Sequence, residues 1–169
     1  MNIITKLLQN KQYWVLFFSL LALVVLPAFM STLFFTNLLF KIILSLVFFT
    51  SVSAVMTGKR LFFYGVAMAL LVILMEWTSY LFRDEQNLIL TTHLIYLGFF
   101  TYIIYRLFLV IIKSKEVTVD VIVVSVSIYL IMEIIFAVLC STFNTIYDGA
   151  YSITVETGGP IYDFLYYCF

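Results

Sequence analysis

Charged residues are scarce in this sequence, and so are the residues that break helices. Of the 169 residues, 11% are charged and 64% are hydrophobic, and the chain contains 2 prolines and 6 glycines. A soluble domain of this size has too little interior to cover so much apolar surface. The composition therefore predicts a membrane protein whose surroundings are the lipid bilayer.

The residues that usually carry metal, redox or catalytic chemistry are also rare. His93 is the one histidine, and Cys140 and Cys168 form no C-x-x-C pair, so we predict structural thiols, no metal site and no cofactor. The 9 basic residues balance the 9 acidic ones without forming a basic patch, which argues against a nucleic-acid partner. No motif such as G-x-S-x-G or H-E-x-x-H is present, and no loop is long enough to fold an active site, so we do not expect an enzyme.

Long apolar runs are what the sequence does contain. Five of them, at 13–30, 38–57, 61–82, 88–112 and 121–143, are separated by short polar segments. The first run follows a basic start, as in a signal peptide, but it is long for one and no small-x-small cleavage pattern follows Pro27. We therefore predict an all-α membrane protein with about five transmembrane helices.

The basic residues predict how these helices are oriented. If the N-terminus is cytoplasmic, one side has only Arg83 and Lys41, and Lys41 is expected to extend toward the headgroups. The other side collects Lys6, Lys11, Lys59, Arg60, Lys113 and Lys115. The excess of positive charge in cytoplasmic loops therefore places the N-terminus inside.

Two acidic residues, Glu76 and Glu133, fall within the predicted spans, where ionisable groups are costly and usually functional. Both lie roughly 22 Å from the cytoplasmic ends of their helices. Two carboxyl groups at one depth could relay or share a proton if they met. The alternative is that each is neutral or bonds to a nearby hydroxyl such as Tyr80 or Tyr129. We expect Glu133 to be neutral, because no basic residue lies close to it at its depth.

Arg106 lies within the fourth predicted span. A voltage sensor needs arginines at every third position, but the corresponding neighbours of Arg106 are Ile103 and Leu109. We therefore predict that Arg106 extends toward the cytoplasmic side and anchors its helix, and that this span has no strong voltage response.

The end of the sequence combines a polar segment, 144–160, with a short aromatic run, 161–169. Pro160 suits the start of a helix, and Asp163 would complement the positive end of its dipole. Nine residues reach roughly 13 Å, which is too short to cross ~30 Å of hydrocarbon. Composition alone favours an aromatic segment lying in the outer membrane interface.

Several short stretches in this last third resemble a known family. They are Thr118-x-Asp120 at the foot of a helix, Tyr129-Leu130 within it, Asp148-Gly149-Ala150-Tyr151-Ser152, and Asp163-Phe164-Leu165-Tyr166-Tyr167-Cys168-Phe169. They are similar to the outer pore helix, the turret and the start of the pore helix in bacterial potassium-channel-like proteins of the two-pore-domain type. The resemblance implies a four-helix transmembrane region at 1–113 and a partial pore domain at 114–169. Glu133 departs from the apolar residue expected at its position.

The same resemblance implies the function and the site. The pore helix would begin with Asp163, Phe164, Leu165, Tyr166, Tyr167 and Phe169. The chain would be a subunit or fragment of a tetrameric potassium-selective channel in the bacterial inner membrane. In that family a Gly-Tyr-Gly filter follows the pore helix, and its carbonyls replace the hydration shell of the ion. That filter does not occur in the 169 residues, so we expect a chain truncated before the filter that does not conduct selectively alone.

Two other functions remain open from the sequence. The first is a non-conducting structural or regulatory membrane protein that assembles with channels. The second is a small proton-coupled transporter in which Glu76 and Glu133 do the work.

Overall fold

The computed structural model describes residues 3–30, 36–55, 59–81, 86–114 and 116–147, and their secondary structure is entirely α-helical. The five helices are α1 (Ile3–Met30), α2 (Thr36–Val55), α3 (Lys59–Leu81), α4 (Gln86–Lys113) and α5 (Val119–Ile146). Each overlaps one of the five apolar runs, which confirms the all-α prediction for this part of the chain. The predicted turret at 148–152 and the predicted pore-helix start at 161–169 lie outside the described residues.

Local sequence explains where α5 begins and ends. Thr118 precedes the helix in an extended conformation, with φ −96° and ψ 165°, and Asp120 lies in the first turn, where its charge complements the helix dipole. At the other end Tyr147 leaves the helix, although its amide still donates to the Phe143 carbonyl at 2.9 Å. Between these ends the buried Ser127 donates to the Val123 carbonyl at 2.8 Å. A serine bonded to its own backbone in this way is tolerated among apolar neighbours.

The helices form an up-and-down bundle that closes on itself. Each helix packs against the next along the chain, α5 packs back against α1, and α2 also contacts α4. We call the end where α4 begins and α5 stops the Gln86 end, and the opposite end the Lys113 end. Two interfaces are the most extensive, α4 with α5 and α1 with α2, so α5 is held between α1 and α4.

An aromatic cluster fills the contact between α2 and α4. The Phe48 ring lies 5.3 Å from Tyr96, 5.1 Å from Phe99 and 5.2 Å from Phe100, measured between ring centroids. All four side chains are at most 5% exposed. Close aromatic pairs of this kind add about 0.5–1.5 kcal/mol each beyond the area they bury, so this cluster fixes α2 against α4.

Two of the described helices, α4 and α5, are long and apolar enough to cross a membrane. In α1, α2 and α3 the corresponding apolar stretches, Lys11–Val25, Lys41–Val55 and Gly65–Thr78, are shorter, at 10–17 residues. The described residues therefore contain five helices but two candidate spans, which is fewer than the five predicted.

Candidate functional site: ionisable groups in the helix bundle

Glu76 is paired with a lysine on the neighbouring helix. Its Oε1 atom lies 2.5 Å from Lys41 Nζ, and the two side chains are only 8% and 14% exposed. Because both groups are largely removed from water, each depends on the other for compensation of its charge. This contact differs from the expectation that Lys41 extends to the headgroups. Glu76, on the adjacent helix, is a closer partner for the Lys41 ammonium group than lipid headgroups would be.

The structure does not bring Glu76 and Glu133 together. Glu76 lies on α3, which packs on α2 and α4, whereas Glu133 lies on α5, which packs on α1 and α4. Within the described residues α3 and α5 share no main interface. A proton relay needs the two carboxyl groups in contact or joined by a chain of hydrogen bonds, so this arrangement offers no direct route between them.

Glu133 is buried on α5 and is 7% exposed. Its carboxyl group interacts with the Tyr129 hydroxyl one turn earlier, as one of the sequence alternatives proposed. Its Oε2 atom, however, has no hydrogen-bond partner among the described residues. Leaving a buried carboxyl oxygen without a partner costs free energy. That the Glu133 side chain is neutral stays a prediction.

Arg106 connects α4 to the end of α2. Its Nη2 atom donates to the Val55 carbonyl at 3.4 Å, and Val55 is the last residue of α2. The last carbonyls of a helix have no partner within the helix, and the negative end of the helix dipole attracts a cation there. Arg106 does reach toward the Lys113 end, as predicted, but it binds a helix terminus instead of the membrane surface.

A polar contact between α4 and α5 was not anticipated from the sequence. His93 Nδ1 lies 3.1 Å from Thr142 Oγ1, and Thr142 donates its own hydroxyl proton to the Val138 carbonyl at 2.7 Å. A hydroxyl has one proton to donate, so the Nδ1–H of His93 must donate to Thr142. His93 is 2% exposed and therefore fixes the helix pair from within.

The separation of residues along each hairpin could have revealed these pairs. Lys41 lies 17 residues before Gly58 and Glu76 lies 18 after it, so antiparallel packing of α2 and α3 about this point of the sequence brings them opposite each other. His93 and Thr142 lie 23 residues before and 26 residues after Glu116, which lies between α4 and α5. Similar distances from the connection between two helices are a signal for partners in a helical hairpin.

The ionisable residues do not form a metal site within the described ranges, where no group of three or more His, Cys, Asp or Glu side chains comes together. The predicted pore-helix residues, Asp163, Phe164, Leu165, Tyr166, Tyr167 and Phe169, lie outside those ranges. The side chain of Tyr80, the hydroxyl suggested for Glu76, lies outside them as well.

Comparisons with known proteins give no relative: no protein-family model, no curated protein and no solved structure matches this chain. Its function therefore has to be inferred from its own residues and their contacts.

Proposed function

We propose that this chain supplies the membrane helices of a potassium-channel subunit, with α5 as the outer helix of the pore. The two sides of α5 carry the proposal. One side is buried against α1 and α4 through Val124, Ile131, Ile134, Ala137 and Val138. The other side exposes a stripe of large apolar side chains, Ile122, Tyr129, Met132, Phe136 and Phe143.

This division is what an outer pore helix requires. Such a helix contacts the peripheral helices of its own subunit on one side and leaves the other side for lipid, for the pore or for a neighbouring subunit. The stripe on α5 extends over about six turns, and the polar groups on it are the hydroxyls of Ser125 and Tyr129. A helix from the middle of a soluble bundle would not leave such a face exposed.

In the proposed topology all five helices cross the bacterial inner membrane and the N-terminus is cytoplasmic. The Gln86 end then faces outside, and the basic residues near 59–60 and 113–115 lie inside. Hairpin contacts such as Lys41–Glu76 and His93–Thr142 support the alternating direction of successive helices. Ion pairing within the bundle removes the cost of leaving Lys41 and Glu76 separately in the membrane.

By resemblance, residues 161–169 begin the pore helix and potassium is the conducted ion. The filter carbonyls that replace the hydration shell of potassium belong to a Gly-Tyr-Gly sequence absent from the 169 residues. The most direct test is to read the coding sequence downstream of the Phe169 codon. A Thr-x-Gly-Tyr-Gly coding run would support the proposal, and its absence from an intact genomic locus would oppose it.

Assembly gives a second, independent test. A channel subunit should form tetramers, measured by native mass spectrometry of the chain in lipid nanodiscs. Phe136→Ala, on the exposed stripe of α5, should lower the tetramer fraction. Leu74→Ala, at a 67% exposed position on α3, serves as the matched control and should not lower it. A chain that remains monomeric, or a stronger effect of Leu74→Ala, would contradict the proposed pore-forming role of α5.

A further inference from the structure

Five buried side-chain polar atoms of the described residues have no partner: three lie on α4 and α5 toward the Gln86 end, and Ser51 Oγ and Glu133 Oε2 lie elsewhere. Within the described residues, the side-chain atoms Tyr96 Oη, Ser141 Oγ and Asn144 Oδ1 are buried and make no hydrogen bond. Tyr96 is 1% exposed and Ser141 is fully buried. Unpartnered buried polar atoms are rare in folded proteins, and each one needs an explanation.

The His93–Thr142 hydrogen bond sets the residues that carry these atoms at similar levels of α4 and α5. It sets His93 of α4 opposite Thr142 of α5. Ser141 is adjacent to Thr142, Asn144 is half a turn closer to the Gln86 end, and Tyr96 lies one turn deeper than His93. At the rim of the region Gln86 Nε2 donates to the Thr145 carbonyl at 2.6 Å. The polar groups therefore extend from the end of the bundle into its interior.

Tyr96 shows that the described residues by themselves do not satisfy the polar atoms of this region. A serine in a helix can donate its hydroxyl proton to a carbonyl of the preceding turn, so Ser141 can be satisfied within its own helix. The phenol of Tyr96 has none, because its ring is held against Phe48 with centroids 5.3 Å apart and its oxygen is far from its own backbone. Leaving such a group without a partner costs about 1–3 kcal/mol, whereas a buried water typically makes about three hydrogen bonds.

We propose that water enters between α4 and α5 from the Gln86 end and binds Asn144, Ser141 and Tyr96 beside the His93–Thr142 contact. The ligand class is water itself, held in a short hydrated crevice between two helices of the bundle. The crevice does not depend on ion conduction. It is present whether the chain is a channel subunit or another kind of membrane protein.

Cysteine accessibility tests the crevice. Cys140 and Cys168 are replaced by Ala, and single cysteines are introduced at Ser141, Asn144 and Phe136. Each variant, in permeabilised membrane vesicles, receives a charged methanethiosulfonate reagent on both faces, so that the result does not depend on topology. The reagent needs a hydrated thiolate.

The expected order of rates is opposite to the exposure of the native side chains. Ser141→Cys, at a buried position, should react about tenfold faster or more than Phe136→Cys, at a 53% exposed position on the apolar stripe of α5. Asn144→Cys should react at least as fast as Ser141→Cys, because it lies nearer the end of the bundle. A rate at Ser141→Cys no higher than at Phe136→Cys would overturn the proposal.

Removing a single oxygen atom tests the deep end of the crevice. Tyr96→Phe keeps the ring against Phe48 but removes the hydroxyl that would bind water, so its Tm in detergent should fall. Tyr105→Phe on the same helix is the control, because Tyr105 is 59% exposed, and its Tm should stay unchanged. If Tyr96→Phe is as stable as the wild type or more stable, the hydroxyl has no water partner and the crevice does not reach it.

Discussion

At the scale of single residues, the buried carboxyl groups of Glu76 and Glu133 have different bonding partners. Glu76 has a lysine 2.5 Å away, whereas Glu133 has the Tyr129 hydroxyl on one side and an unpartnered Oε2 atom. Replacing a glutamate with glutamine removes the charge and keeps the shape. The same substitution at the two positions should therefore give different results, and the difference reports the charge of each group.

Glu76→Gln should be strongly destabilising, because it leaves the Lys41 ammonium buried without its counter-charge. Breaking a buried ion pair by removing one partner costs about 3–5 kcal/mol. Thermal unfolding in detergent at neutral pH measures the loss, and Lys41→Met combined with Glu76→Gln should restore much of it because no charge is then left unpaired. Glu116→Gln, at an exposed position, should have no effect. A Tm for Glu76→Gln equal to that of wild type would show that the pair does not hold α2 and α3 together.

Glu133→Gln should leave stability nearly unchanged, within about 0.5 kcal/mol, because a neutral amide replaces what we expect to be a neutral acid. The amide can still bond to Tyr129. The measurement is the same thermal unfolding at pH 7, with Glu76→Gln as the matched comparison. A large fall in Tm would mean that Glu133 is ionised and has a partner, and this outcome would revive the proton-coupled transporter as the function.

At the scale of the helices, the sequence predicted the elements well but not their partners. Each of the five apolar runs contains a helix because a run of this length and low polarity satisfies its backbone internally. The helix boundaries differ by several residues, as for α1, which begins at Ile3 instead of near residue 13. A polar start such as Thr5-Lys6 lowers the hydropathy of a segment without preventing it from being helical.

Partners were missed because a run of apolar residues does not specify which helices pack together. The expectation that Lys41 reaches the headgroups considered one helix at a time, whereas its partner Glu76 lies on the next helix. The distance of each residue from the intervening turn would have predicted this pair. The Arg106–Val55 contact offers no such signal, because α2 and α4 are not consecutive and their relative position depends on the packing of the whole bundle.

The contact between Arg106 and the end of α2 should stabilise that helix, and this effect can be measured. Arg106→Gln removes the cation that faces the negative end of the α2 dipole and should cost about 1 kcal/mol. Hydrogen exchange followed by mass spectrometry should show faster exchange in the last turn of α2, at 52–55, while the middle of α5, at 123–131, keeps its protection. Arg106→Lys should give an intermediate effect, since it retains the charge. Equal exchange in the wild type and Arg106→Gln would show that the carbonyl contact does not stabilise α2.

At the scale of the whole molecule, the composition bears on the surroundings of the chain but not on its activity. An apolar fraction of 64% and mean hydropathy of +1.15 predict a membrane protein, and two described helices are long and apolar enough to cross a membrane. The potassium-channel proposal depends instead on local resemblance and on the two-sided α5. Residues 161–169 lie outside the described part of the chain, so their role in a pore helix stays a prediction from the sequence.

The topology can be tested without assuming any activity. Asn87 and Ser114 occupy the two ends of α4, and both side chains are exposed. With Cys140 and Cys168 replaced by Ala, single cysteines at these positions are labelled in intact cells with a membrane-impermeant maleimide. The excess of basic residues predicts that the Lys113 end is cytoplasmic, so Asn87→Cys should be labelled and Ser114→Cys should react only after the membrane is permeabilised. Labelling of Ser114→Cys alone would show that the bundle has the opposite orientation. Equal labelling of both cysteines in sealed cells would mean that α4 does not cross the membrane.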